Sequence, residues 1–408
     1  MSLDEVLACQ KRGEARGIVS VCSAHPLVIR QALATFQHPL IESTCNQVNQ
    51  FGGYTGMTPA EFVAFVRRMA EEDHLRFEDI TLGGDHLGPH VWRSQPASQA
   101  MMNAKVMIGA YVKAGFTKLH LDCSMRLADD PEGALDPEVS ARRAAELAKA
   151  AEQLGQGPLC YVIGTEVPLP GGTTRQEGGM RVTESHDARQ TIEIHRKSFH
   201  DVGLQSAWQR VVAVVVQPGV EFGDDFVLPY RREAARELAK FIESQPMVYE
   251  AHSTDYQKPE ALKNLVVDHF AILKVGPALT FAYREAIFAL AMIENEWIEK
   301  DKRSNILEVL EDAMAAKPEY WREYYHGTEQ EQAFKRRFSL SDRIRYYWAQ
   351  PAVQHALERL MNNLGNQALP YSLSRQFLGE TDLDAGQAIQ WKVGMVLEDY
   401  LGACFESA

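Results

Sequence analysis

The stretch Leu82–His90, LGGDHLGPH, sets a carboxylate (Asp85) and two imidazoles (His86, His90) among glycines directly after an apolar run. Adjacent Asp and His suit acid–base chemistry beside a metal ion, because an imidazole can ligate the ion while the carboxylate moves a proton. Other apolar runs end on residues of the same kinds. Cys22-Ser23-Ala24-His25 follows the first, and Glu42, Asn46, Asn49 and Gln50 follow from the second. Further along come Asp122 and Ser124, then Glu166 ahead of Gly171-Gly172, then Gln217 and Glu221. The last two runs supply Glu250, His252, Ser253 and Thr254, then Lys274 and Gly276. Singly, each has an ordinary explanation: Asp or Ser after a strand caps a helix, Gly pairs make turns, and Lys274 forms a strand-end salt bridge. Asn46, Asn49 and Gln50 read equally well as sugar contacts or as ties within their own long loop. Together, His, Glu and Asp at one end of many strands form a mixed ligand set suited to Zn²⁺ or a similar divalent ion.

The elements that must position these residues alternate. Eight short β-rich runs occur, at Ile18–Cys22, Leu40–Thr44, Ile80–Gly83, Leu119–Asp122, Leu159–Ile163, Val211–Val216, Met247–Glu250 and Phe270–Val275. Amphipathic stretches such as Pro59–Asp73, Ser98–Ala114, Ser140–Leu154 and Pro229–Ser244 separate them. Parallel strands need crossovers, so eight β/α units predict a (β/α)8 TIM barrel, an α/β fold, over residues 1–299. An open doubly wound sheet is the alternative, but no G-x-G-x-x-G follows any strand. Residues 300–408 carry helical patterns and no strand, and are expected to form a helical extension packed on the barrel. In a barrel, strand ends share one face, so the polar residues above converge there.

Composition narrows the partners. The chain has 408 residues, a net charge of −13 and 45% hydrophobic content, which is ordinary globular composition with no excess of Lys and Arg to meet nucleic-acid phosphates. Six scattered cysteines without a C-x-x-C pair fit a reduced, cytoplasmic protein. The N-terminus is charged and lacks an apolar leader, and no window reaches the roughly 20 apolar residues of a membrane span. G-x-x-x-x-G-K-[ST], H-E-x-x-H and G-x-S-x-G are absent, so a P-loop kinase, a zincin and a nucleophile-elbow hydrolase are unsupported.

The motifs CSAHP, ESTCNQVNQFGGYTGM, GGDHLGPHVW, LHLDCSM and EAHSTDYQ resemble the Z subunits of class II D-tagatose-1,6-bisphosphate aldolase. The resemblance implies a part in galactitol and tagatose catabolism and, as the family is usually described, support of a separate catalytic aldolase subunit. Some relatives are assigned metal-dependent epimerase activities, and some carry a tagatose-6-phosphate kinase label that no nucleotide motif here supports. A more distant resemblance to class II fructose- and tagatose-bisphosphate aldolases implies individual roles. It makes Asp85, Asp122 and Glu166 the expected catalytic groups and His86, His252, Glu166 and Glu221 the expected metal ligands. Glu221 stands where those enzymes carry a His ligand. His25, Asn46, Asn49, Gln50, Ser124, Ser253, Thr254, Lys274 and Gly276 are the expected substrate contacts, with phosphate between the loops after strands 7 and 8, at the helix start near Gly276.

A ketose held by a divalent ion can lose its C4 hydroxyl proton and break its C3–C4 bond. Releasing the halves is aldol cleavage; rejoining them on the other face is 4-epimerisation. The expectation is therefore interconversion of tagatose 6-phosphate and fructose 6-phosphate with zinc or a similar metal. The alternative is a non-catalytic subunit that supports a partner aldolase, and a homo-oligomer is compatible with either. A Schiff-base aldolase using Lys274 is a third option, and a salt bridge is the preferred role for that lysine. Arg375, in YSLSRQF, is a remote candidate to reach the site from the extension.

Overall fold

All eight β-rich runs form strands, and the strands close on themselves. In the computed structural model, which describes residues 1–155, 157–165 and 181–405, the barrel strands are β1 (Ile18–Val21), β2 (Leu40–Thr44), β3 (Thr81–Leu87), β4 (Lys118–Leu121), β5 (Cys160–Ile163), β6 (Val211–Val215), β7 (Val248–Ala251) and β8 (Phe270–Val275). Each pairs in parallel with its sequence neighbours, and β8 returns to β1 with Ile18 opposite Ile272 and Val21 opposite Val275. The fold is a (β/α)8 barrel.

The bore is layered. Its lower end is apolar: Ile18, Leu40, Val162, Ala213, Val215, Val248 and Ile272 form a cluster of their own. The N-terminal helix Leu3–Lys11 packs Leu3 and Val6 into that cluster and plugs this end. Ser2 starts the plug helix with a reciprocal capping box to Glu5. Above the apolar layer, alternation along each strand turns Glu42, Lys118, Glu250 and Lys274 into the bore. Lys118 Nζ lies 2.5 Å from Glu42 Oε1 and 2.6 Å from Glu250 Oε2, all fully buried. Gly83 sits opposite Glu42 in the β2–β3 register, and a Cβ there would come within 2.6 Å of the Glu42 side chain. Its missing side chain leaves the room this charged layer fills.

Residues 300–405 are helical and share one continuous core with the barrel. The last helix, Ala385–Phe405, packs on helices Pro26–Thr35, Pro259–Val267 and Pro277–Trp297 and on β1. It thereby closes the outer ring between the seventh and first crossover helices. The segment around Arg343–Tyr346 and the start of helix Pro351–Leu364 lie instead over the barrel mouth. Among the described residues no helix is long and apolar enough to cross a membrane.

Candidate functional site

The C-terminal ends of the strands open into a cavity of about 670 Å³. Two histidines, His86 and His252, line it, and a third, His120, is fully buried against them; each is tied to a carboxylate. His86 Nδ1 is 2.8 Å from Asp122 Oδ2, His120 Nδ1 is 2.9 Å from Asp85 Oδ1, and His252 Nε2 is 2.9 Å from Glu250 Oε1. The three rings meet edge to face, with centroids 4.9 to 5.1 Å apart. Carboxylate-backed imidazoles are the usual support of metal-ligating histidines, because the carboxylate fixes the ring and leaves the other nitrogen for the ion. His120 Nε2 is that kind of nitrogen: it is buried and has no partner among the described residues. Asp85, His120, Glu250 and His252 each bring a ligand atom within 4.8 Å of the others. These residues fit a divalent cation. A second grouping, Cys22 with Glu42 and Asp85, fits less well, since burial pushes the Cys22 thiol well above its usual range and away from the thiolate a metal needs.

Local backbone geometry aims these groups. His86 has φ +48° and Ser253 φ +53°, both in the left-handed region that non-glycine residues seldom adopt, and both stand where a strand gives way to its loop. Gly88 lets the chain after β3 lie against the end of β4: a Cβ there would sit 1.7 Å from the carbonyl oxygen of Asp122.

Charge is distributed unevenly. Burial alone would raise the Asp85 carboxyl, but His86 and Lys274 beside it, with the His120 hydrogen bond, hold it well below its usual range. Its Oδ1 is occupied by Lys274 Nζ at 2.6 Å and by His120, while Oδ2 lies 3.8 Å from His86 Nε2. Burial would likewise raise Asp122, and the hydrogen bond and charge of His86 lower it. Both Asp122 oxygens are engaged, Oδ2 by His86 and Oδ1 by the Ser124 amide and hydroxyl. Burial drives His252 down to about 3 and keeps it a neutral imidazole with a lone pair to give. Lys274 would be lowered by burial, but Asp85, Glu250 and Glu42 raise it well above its usual range. It is, like Lys118, a salt-bridged ammonium of the bore, 2.8 Å from Glu42, and not the free amine a Schiff base requires.

The structure brings Asp85, His86, His252, Ser253, Lys274, Gly276, His25 and Asn46 to the cavity wall. Asn49 and Gln50 turn elsewhere. Asn49 binds the Cys45 carbonyl and the Phe51 and Gly53 amides of its own loop, and Gln50 reaches the Asn103 carbonyl. Ser124 supports Asp122. Thr254 spends its hydroxyl on the Lys274 carbonyl and the Tyr400 phenol. Glu221 lies on a two-residue ribbon after β6, bonded to the Phe222 amide and raised by burial to about 7. It is not among the four residues whose ligand atoms converge. Glu166 and the Gly171-Gly172 pair lie outside the described residues. The helix start near Gly276 is already occupied: Asp255 Oδ1 accepts from the Gly276 amide at 3.0 Å and the Ala278 amide at 2.8 Å.

Two sets of residues escaped the sequence reading. His120 is one letter inside an apolar run, yet in LHLD the alternation of a strand puts it on the face of Asp122, opposite two leucines. The second set comes from the extension. Arg375 is exposed and donates to the Gly379 carbonyl, whereas Arg345, Tyr346 and Trp348 line the cavity.

Comparison with known proteins agrees with the motif resemblance. The model of the family "D-tagatose-1,6-bisphosphate aldolase subunit GatZ/KbaZ-like" matches residues 3–404. A D-tagatose-1,6-bisphosphate aldolase subunit GatZ from Salmonella paratyphi B is 53% identical over 384 residues, covering 92% of this chain and 90% of the relative. One from Klebsiella pneumoniae is 49% identical over 419 residues, covering 98% and 99%. The crystal structure of a protein described as a probable tagatose 6 phosphate kinase from Sinorhizobium meliloti superposes with a TM-score of 0.88 at 46% identity, covering 95% of this chain and all of that one.

Proposed function

The chain belongs to the D-tagatose-1,6-bisphosphate aldolase subunit GatZ/KbaZ-like family, and we propose that it serves sugar-phosphate catabolism as a subunit of such an aldolase, partnered by a class II aldolase chain. The names of its half-identical relatives support this reading. Mixing the purified chain with a purified class II tagatose-bisphosphate aldolase subunit should raise that subunit's activity or thermal stability. No change in either would defeat it.

A second reading, that the chain also transforms a ketohexose phosphate itself, rests on one observation: three histidines, each backed by a carboxylate, cluster around Asp85, and two of them, His86 and His252, line a ligand-sized cavity with it. A subunit that only propped up a partner would have no use for this arrangement. His120, His252 and Glu250 would hold a divalent cation, with His86 beside them. Such an ion, zinc being well suited to the donor set, would supply Lewis acidity toward the C2 carbonyl of the sugar. The chain supplies the rest. Asp85 lines the cavity, is held toward its ionised form and keeps Oδ2 clear of Lys274 and His120, so it takes the C4 hydroxyl proton as the C3–C4 bond breaks. Lys274 fixes the other Asp85 oxygen and Asp122 fixes the His86 ring. Return of the proton after the halves rejoin on the opposite face gives the 4-epimer, and escape of the halves gives aldol cleavage. Tagatose 6-phosphate and fructose 6-phosphate are the proposed pair. The chain has no Gly-Lys pair from which to build a P-loop, so the kinase description of one structural relative is not carried over.

A further inference from the structure

We propose that His25 receives the sugar's C4 oxygen once the aldehyde half has turned over, donating a hydrogen bond from Nε2 to the alkoxide that forms there. This deepens the ketohexose phosphate reading and rests on it.

Inversion at C4 asks for two groups. Asp85 takes the C4 hydroxyl proton, the C3–C4 electron pair becomes the enediolate of the C1–C3 half, and C4 becomes an aldehyde. The aldehyde turns about its bond to C5 and offers C3 its other face. As the C3–C4 bond forms again, the carbonyl π pair becomes an alkoxide whose oxygen points away from Asp85. Solvent water carries the proton from Asp85 to that alkoxide, so both side chains end as they began. Charge thus builds on an oxygen that Asp85 no longer reaches, and a fixed donor at that place lowers the barrier.

Much of the polar wall is already committed. Lys274 is held by Glu42, Asp85 and Glu250, and Asp255 accepts from the Gly276 and Ala278 amides. Arg345 donates to the Ser341 and Asp342 carbonyls and to the Tyr346 phenol oxygen. His25 lines the same cavity, and neither of its ring nitrogens has a partner among the described residues. Nδ1 is sealed from solvent and Nε2 is not, so on this half-buried ring Nε2 is the atom that opens to the cavity. A buried N–H without an acceptor is rarer than a buried lone pair without a donor, which puts the proton of the neutral ring on Nε2. Burial lowers the imidazole to about 4, so near neutral pH it serves as an uncharged donor.

The ring is fixed in place. The Ser23 hydroxyl accepts from the His25 amide at 3.2 Å, Pro26 follows as the first residue of its helix, and the imidazole lies against Tyr283 with centroids 4.3 Å apart. His25 stands at the N-cap of that helix, yet its side chain makes no capping bond, which leaves Nε2 for a ligand.

The test uses the full chain loaded with a divalent metal. Tagatose 6-phosphate and fructose 6-phosphate are each supplied, and in a second arm dihydroxyacetone and D-glyceraldehyde 3-phosphate are condensed. His25→Phe keeps a ring against Tyr283 and removes the donor. It should lower the epimerisation kcat roughly 10²–10³-fold, with metal content unchanged and little change in KM. His25→Gln, whose carboxamide N–H reaches about as far as Nε2, should recover part of that loss. In the condensation the wild type should make both 4-epimers and His25→Phe predominantly one, because only one placement of the C4 oxygen has lost its donor. An active wild type matched in kcat by His25→Phe would overturn this proposal alone, as would an unchanged epimer ratio. His25→Leu takes the place of His25→Phe if the latter does not fold. A metal-loaded wild type inert toward both sugar phosphates would remove the ketohexose phosphate reading and this proposal with it.

Discussion

At the residue scale, the account turns on the division of labour between Asp85 and the carboxylates around it. Asp85 engages Lys274 and His120 through Oδ1 and leaves Oδ2 clear of both, whereas Asp122 spends both oxygens on His86 and Ser124. Asp85→Asn should therefore lower turnover roughly 10²–10⁴-fold with little effect on KM, since it removes a proton acceptor and leaves the shape. Steady-state kinetics on tagatose 6-phosphate check this, and a rise in KM alone would speak for a binding role. Removing a ligand or its support acts on the metal instead. His120→Ala should abolish stoichiometric divalent metal after dialysis, and Asp122→Asn should cost about 10–100-fold in metal affinity. Elemental analysis and metal titration measure both. The Asp85-His86 pair was legible because its two chemical groups are adjacent in sequence. His120 was not, because only alternation within a four-residue strand marks it. Asn49 shows the limit of residue type as a guide: its carboxamide serves its own loop.

At the element scale, strands and their first loop residues set the site. The eight strands were legible from short β-branched and apolar runs spaced by amphipathic stretches. The ribbon carrying Glu221 was not, since two residues per strand leave no periodicity to read. Gly88→Ala tests the strand-end geometry. The added methyl would have to displace the end of β4, which carries Asp122, so the variant should lose metal binding along with stability, read by melting and metal titration. A stable variant with full metal affinity would show that the close approach of β3 and β4 is dispensable. The charged layer beneath is a second test. Lys118→Met leaves three buried carboxylates, Glu42, Glu250 and Asp85, to share Lys274, and should cost about 3–5 kcal/mol in denaturant unfolding. That network was hidden in the sequence because its partners are 76 and 132 residues from Lys118 and meet only through the barrel register.

At the scale of the whole molecule, the extension is part of the barrel. Its last helix completes the outer ring, and the Gly17 amide at the start of β1 donates to the carbonyl of Cys404 at the other end of the chain. Deleting residues 385–408 should leave no cooperatively melting barrel, as followed by circular dichroism. A truncated chain that melts cooperatively near the full-length midpoint would mean the ring closes without this helix. Sequence patterns revealed a helical extension but not its two duties, since both closing the ring and roofing the cavity depend on contacts between distant parts of the chain. The roof supplies Arg345, Tyr346 and Trp348, so residues outside the eight β/α units shape the cavity.

The measurement that bears most directly on the central claim, that the cluster at the barrel mouth is a working site, uses the purified chain alone. D-tagatose 6-phosphate is supplied and fructose 6-phosphate is followed by a coupled assay, before and after EDTA and after metal is restored. Turnover that EDTA removes and Zn²⁺ or another divalent ion returns is the predicted result. Metal-loaded protein that binds the sugar phosphate and leaves it unchanged would contradict the claim, and would leave support of a partner aldolase as the role of the chain.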